Sequence, residues 1–381
     1  MKHLTIYLYI ITFMVTVYAC QKPINIQATT TNANILVVEG LINAGADLTT
    51  IRLSRTVVIG NKTTANPEGG AIVTIENAQA TVAILKEITK GTYSSSPTVL
   101  NLDKTKQYRL RVKTSNGKTY LSDLADVKIT PPIDSVGYTV KNNGIQVYAS
   151  THDDTNNSRY YLYNYAEAWQ FNAKYYSSYY SNGSTTLPRT PANLVSSCYA
   201  ETATANIFLN STAALTQDVA YQFPLIFIEG TSERISVKYT ILVTQTVLTK
   251  EAYTFWENLK KSTETLGSIF DTQPSQLIGN IHNIADPTEP VIGYISVGTS
   301  QSKRIYINKK DLPVSFITKY PYNCRIDTAK SPGDMATYVI PLTGGTTPLN
   351  PITDPPGFLY TDKTCADCTI RGTVQKPAFW Q

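Results

Sequence analysis

Residues 159–171 read RYYLYNYAEAWQF, and from Tyr161 to Phe171 every second residue is aromatic except Glu167. On a helix these six side chains would scatter around the axis. On a strand they share one face, because successive Cβ atoms alternate sides. Thirteen residues of such alternation demand a sheet, and a second layer for the aromatic face to pack against. The same period recurs along the chain. ILVVEGLI (35–42), TTIRLS (49–54), AIVTIE (71–76), ATVAIL (80–85), QYRLRVKT (107–114) and KTYLS (118–122) each read as a short strand. Ser115-Asn116-Gly117 between the last two is a hairpin signal, since Asn-Gly tolerates positive φ.

Six or seven strands within residues 35–130 predict an Ig-like or transthyretin-like β-sandwich. Thr130-Pro131-Pro132-Ile133-Asp134 then stiffens the chain and marks a boundary. Residues 131–381 read as a larger antiparallel β domain, with strands at 144–150, 159–171, 233–248 and near 291–298 and 303–308. One amphipathic helix interrupts it near 249–266. Thr249 is its N-cap, Glu251 lies in its first turn, and Ala252, Phe255, Trp256, Leu259 and Leu266 fall at helical spacing before Gly267. From Pro313 onward, frequent Pro and Gly predict ordered loop. The fold class is therefore mainly β.

The first twenty residues, MKHLTIYLYIITFMVTVYAC, place Lys2 and His3 before an apolar stretch from Leu4 to Ala19. Sixteen helical residues rise about 24 Å, short of the ~30 Å hydrocarbon core, so residues 1–19 read as a secretory leader and not a span. Cys20 after Val17-Tyr18-Ala19 resembles a bacterial lipobox, with Cys20 lipidated; the other reading is an ordinary signal peptide with a chance cysteine. Several acyl chains anchor stably where one binds marginally. Residues 20–34, polar and Thr/Asn-rich, form a tether.

An exported setting makes an even cysteine count a disulfide framework. Cys198, Cys324, Cys365 and Cys368 allow three pairings, which the sequence does not choose among. Cys365-Ala366-Asp367-Cys368 is a CxxC, but no second pair of soft ligands at finger spacing accompanies it, and no strand–helix context suits redox work. No HExxH, GxSxG, Walker loop or GxGxxG is present. Ser115-Asn116-Gly117-Lys118 matches SxxK, yet spans a hairpin where that chemistry needs a helical turn. His152 and His282 are the histidines beyond the leader, and Asp153-Asp154 is a thin basis for a calcium site. The reading is non-enzymatic, without cofactor or metal. Charge supports no nucleic-acid partner: 33 basic against 28 acidic residues leave +5 with no basic run.

Tyrosine is the compositional outlier, 26 against 10 Phe and 3 Trp. Those at 160–171 read as sandwich core with hydroxyls at its rim. KYYSSYYSNGS (174–184) lacks alternation and has the Tyr/Ser/Gly/Asn mix of a binding loop. Tyr175, Tyr176, Tyr179 and Tyr180 are candidate binding residues; a partly buried packing loop is the other reading.

LVVEG, the PPIDS linker, RYYLYNYAEAWQF, KYTILVTQ, AYTFWENLKKSTETLGSIFDTQPSQLIGNI, EPVIGYISV, KRIYI and the terminal CADCTIRGTVQKPAFW together resemble a Bacteroidota outer-membrane lipoprotein family, a domain of unknown function. The likeness runs from about Ile35 to Trp380. It implies lipid anchoring in the outer membrane and a partnership with a TonB-dependent transporter barrel, the family's usual genetic neighbour. It implies a cell-surface position, while Lys22, with no acid before Glu39, leaves the periplasmic face open. No catalytic residues carry over. Asp134-Ser135-Val136 and Asp327-Thr328-Ala329 also resemble a Bacteroidota O-glycosylation motif. The expected role is a ligand-capture accessory, with an adhesin or assembly scaffold lacking a small ligand as the alternative. An enzyme with an unrecognised carboxylate pair ranks third.

Overall fold

The computed structural model describes residues 34–57, 66–264, 279–320 and 322–381. It is mainly β, the class expected from the alternation, with many antiparallel strands and few helices.

In the first sandwich Leu36–Asn43 pairs with Thr50–Arg55, which pairs with Thr92–Ser94. Facing it, Ile72–Glu76, Gln107–Lys113 and Thr119–Ser122 run in order. Thr81–Thr89 joins the halves: its first part pairs with Ile72–Glu76 and its second with Thr92–Ser94, so the sheet nearly closes. Alternation sorts each strand. Tyr108, Leu110 and Val112 are buried, while Arg109 and Arg111 turn outward to Glu76. Gly117, at φ 86°, makes the expected hairpin turn, with Thr114 N donating to Lys118 O.

Residues 281–298, assigned from sequence to the C-terminal domain, lie in this first sandwich. Ile281–Asn283 pairs with Thr119–Ser122, and Val291–Ile292 and Ser296–Gly298 run parallel to Leu36–Asn43. Ile281, Val291, Ile295 and Val297 enter the same core. A parallel neighbour needs a long crossover, and here the second sandwich itself is the crossover. The two passes are stitched together. Thr130 N donates to Thr299 Oγ1 (2.9 Å), Thr130 Oγ1 to Thr299 O (2.5 Å), and Val247 N to Thr130 Oγ1 (3.0 Å).

The second sandwich packs Ile133–Lys141, Gly144–Asp153 and Asp218–Glu229 against a sheet of Ser197–Ala203, Tyr160–Asn172, Lys238–Val247 and Ser300–Asn308, with Phe208–Ser211 also on Tyr160–Asn172. Tyr161, Tyr163, Tyr165 and Phe171 are buried, as the aromatic face required. Their hydroxyls do not all reach the rim, contrary to expectation. Tyr161 Oη donates to buried Asp218 (2.9 Å), and Tyr239 Oη to buried Glu167 (2.7 Å). Arg234 Nη1 reaches both Glu167 oxygens at 3.2 Å. The two carboxylates satisfy phenols that burial would otherwise strand.

The proline-rich tail is more than loop. Asp327–Ala329, Pro356–Asp362 and Thr346–Thr353 form a three-stranded sheet. Thr346–Thr353 is an edge strand, and its register shifts between Pro348 and Pro351, which cannot donate to the ladder. Disulfide Cys198–Cys368 ties this lobe to the sandwich strand Ser197–Ala203, and Cys324–Cys365 closes the lobe on itself. The last residues cross the outer face of the larger sheet. Phe379 lies over Arg304 at 3.9 Å, and Trp380 is buried edge-on to Tyr199 and Tyr306.

Candidate functional site

Where the two sandwiches meet, a cleft of about 330 Å³ opens beside the helix Lys250–Glu264. That helix starts as its sequence dictates: Ala252 N donates to Thr249 Oγ1 (3.2 Å), and Tyr253 N to Thr249 O (2.9 Å). Ala252 and Phe255 are buried, which sets Trp256 half-buried at the cleft wall. Phe255 holds Trp256 edge-on at 5.8 Å and Tyr294 at 5.7 Å. At the far end Glu264 accepts Ile207 N (2.8 Å) and ties the helix to the rim segment 204–207. Leu266 and Gly267, expected to finish the helix, lie outside the described residues.

The floor comes from Leu162 and Asn164 on Tyr160–Asn172, with Thr246 and Leu248 from the neighbouring strand and its exit. The first sandwich contributes Gly40 and Leu41 together with Tyr294 and Ser296. Gly40, at φ 145°, is required there: a Cβ would stand 2.5 Å from Thr50 O. Ala205, Asn206 and Ile207 close the rim. No described lining residue carries a charged side chain at neutral pH; burial raises the pKa of Tyr294 and keeps its phenol neutral. Several polar groups are idle. Ser296 Oγ is buried without a partner. The Asn164 and Asn206 amides, the Thr246 hydroxyl and the Trp256 indole N–H make no hydrogen bond among the described residues. Asn164 and Asn206 stand open to water and Trp256 is half-buried, so the departure from the usual satisfaction of buried polar groups is at Ser296 Oγ.

The Tyr-rich segment lies elsewhere, against the disulfide lobe. Tyr175 N donates to Cys365 O (2.9 Å) and its hydroxyl to Cys324 O (3.3 Å). Tyr179 meets Phe358 edge-on at 5.3 Å in the hairpin Tyr179–Ser181/Thr186–Pro188, and Arg189 stacks on Tyr180 at 5.7 Å. Tyr176, at 56% exposure, is the outward one of the four. The geometry is that of a packing loop with one exposed ring.

The cysteines of CxxC pair with distant partners and not with each other. His152 Nδ1 lies 2.8 Å from Asp134, whose hydrogen bond raises the imidazole pKa, and His282 lies 3.6 Å from Asp123. Asp153 is occupied by Thr155 and Asn157, and Asp154 is almost fully exposed. Among the described residues no three His, Cys, Asp or Glu side chains gather as metal ligands. Lys118 Nζ pairs with Glu289 (2.8 Å) from the loop after Ile281–Asn283, away from any helical Ser–Lys arrangement. Ser135 is half-buried in Ile133–Lys141, whereas Thr328 is exposed. Cys20 lies outside the described residues.

Sequence reasoning did not single out the cleft. Trp256 was legible only as part of an amphipathic face, and the segments at 40, 164, 206, 246 and 294–296 carry no local mark in common.

Residues 21–304 match the family described as Domain of unknown function (DUF4249), and the chain belongs to that family. The match ends short of the disulfide lobe and the terminal segment, which the likeness read from sequence had included. No curated protein matches the chain.

Proposed function

We propose that this protein is a lipid-anchored, non-catalytic accessory of an outer-membrane TonB-dependent transporter, capturing ligand in the cleft between its sandwiches. The observation that carries the capture role is the cleft: walls from two sandwiches and a helix, uncharged among the described residues, with convergent polar groups that no described residue satisfies. Small-molecule sites favour such junctions. The leader ending at Cys20 and the implied genetic neighbourhood support the anchor and the barrel partner, with the cell surface as the favoured face.

Mild-detergent purification of the tagged protein from its native membranes tests the partnership. The expected result is co-purification of a TonB-dependent barrel, and repeated absence of one ends the accessory reading. Cys20→Ala should shift the protein from the membrane to the soluble fraction, whereas tight retention argues against lipidation. A second reading, an adhesin or assembly scaffold, draws on an outward apolar stripe on the first sandwich. Ile72, Val82, Ile84 and Ile88 are all exposed there, Ile84 at 68%.

A further inference from the structure

Resting on the capture reading, we infer that the cleft between the sandwiches binds a short, neutral carbohydrate. Three properties of its lining narrow the chemistry.

The first is charge. Among the described residues, no Asp, Glu, Lys, Arg or His lines the cleft. A free amino acid, a short peptide with ionised termini, a phosphate ester or a carboxylate chelator would be desolvated there with no counter-charge, and unpaired buried charge is expensive. The ligand is uncharged.

The second is unsatisfied hydrogen bonding. The Asn164 and Asn206 amides both donate and accept, Thr246 and Ser296 hydroxyls do the same, and the Trp256 indole donates. Ser296 Oγ is shielded from water with no partner among the described residues. An aliphatic or purely aromatic guest would leave all of these groups unpaired. Hydroxyl groups, able to donate and accept from one atom, match this mixed set.

The third is the apolar surface beside them. Trp256 presents an indole at the wall, and Leu162, Leu248 and Ile207 flank it. A ligand is therefore needed with a rim of hydroxyls and an apolar C–H face, and a pyranose ring has both. The volume, about 330 Å³, is at the small end of the ~300–1,000 Å³ range for ligand sites and suits a short saccharide.

The test uses the full-length protein in a zwitterionic, sugar-free detergent. Maltose, cellobiose, lactose and N,N′-diacetylchitobiose are titrated by calorimetry and tryptophan emission, beside glycyl-leucine, glucose 6-phosphate and thymidine. Saturable binding is expected for at least one neutral disaccharide and for none of the other three. Trp256→Ala should weaken it about tenfold or more. Trp256→Phe, which keeps an aromatic wall and the packing on Phe255, should weaken it less and guards against misfolding. Asn206→Ala, on the exposed rim, should also weaken it several-fold, because an amide that donates to and accepts from the guest's hydroxyls is lost. Binding of the dipeptide or phosphate in preference to every disaccharide overturns the inference, and so does thymidine binding preferred to them. No saturable response to any disaccharide, or binding indifferent to Trp256→Ala and Asn206→Ala alike, overturns it too. A recovered barrel without saccharide binding removes this inference and leaves the accessory role. Saccharide binding without a barrel does the reverse.

Discussion

The two sandwiches reach similar burial by different chemistry. The first fills most of its interior with Leu36, Val38, Ile51, Leu53, Val73, Ile75, Leu110 and Val112, and its buried Tyr93, Tyr108 and Tyr120 send their hydroxyls to Glu68 O, Asp103 O and the Glu289 carboxylate. The second places phenols in the middle and buries carboxylates to receive them: Asp218 for Tyr161, Glu167 for Tyr239. A largely aliphatic interior depends mainly on shape, so its stability chiefly follows volume. A phenol–carboxylate interior depends on completed hydrogen bonds, so its stability also follows protonation.

Alkali should separate them most. Burial raises Tyr161, Tyr163 and Tyr239 well above the ordinary phenol value, and the facing Asp218 and Glu167 add to the rise. A raised folded value means stability is complete below the unfolded phenol value of ~10 and falls as pH climbs beyond it. Burial also raises Tyr93 and Tyr120 in the first sandwich, so both weaken, the second first. All three tryptophans, Trp169, Trp256 and Trp380, lie outside the first sandwich. Tryptophan emission should therefore change at lower pH than the far-ultraviolet β signal, and coincident transitions would refute the contrast. In acid the order should favour the second sandwich. Burial alone would raise Glu76, but hydrogen bonds from Arg111 and Arg109 hold it below the usual carboxylate value. That contribution is present above the unfolded ~4.3 and is lost as pH falls through the depressed folded value.

Truncating the buried acid comes next. Glu167→Ala leaves Tyr239 Oη and Arg234 without their acceptor and should cost about 3–5 kcal/mol in denaturant melts. Leu110→Ala in the first sandwich should cost about 3 kcal/mol from volume alone, the same at every pH. A pH-dependent cost there would blur the contrast.

The smallest effects discriminate most finely. Tyr161→Phe deprives Asp218 of a donor, leaving Thr212 Oγ1 on the same oxygen, and should cost about 1–3 kcal/mol. Tyr163 stacks on Phe223 at 5.1 Å, but its buried hydroxyl has no partner. Tyr163→Phe should therefore lie within about 0.5 kcal/mol of neutral or stabilise. Equal costs for the two phenylalanine variants would mean that the hydroxyls contribute nothing distinct.

The strands at 107–113 and 160–172, the Asn116-Gly117 turn and the Thr249 start of the helix were legible in the sequence, because each obeys a rule of local geometry. The Tyr-rich segment was legible only as two alternatives. Composition cannot tell a loop that meets a partner from one that meets Phe358 and the Cys365 backbone. Strands within Pro313–Gln381 were missed because proline argues against a central strand and is silent about an edge.

Alternation and capping are set by sterics within a few residues, and so the sequence alone determined a mainly β chain, its strand faces and its one long described helix. Which strands become neighbours is decided by closure over long separations, where many pairings satisfy the same pattern. Only the tertiary structure returned 281–298 to Leu36–Asn43 and Thr119–Ser122, and chose Cys198–Cys368 and Cys324–Cys365 among three pairings. By the same closure it brought Asn164, Asn206, Trp256 and Ser296 to one uncharged cleft.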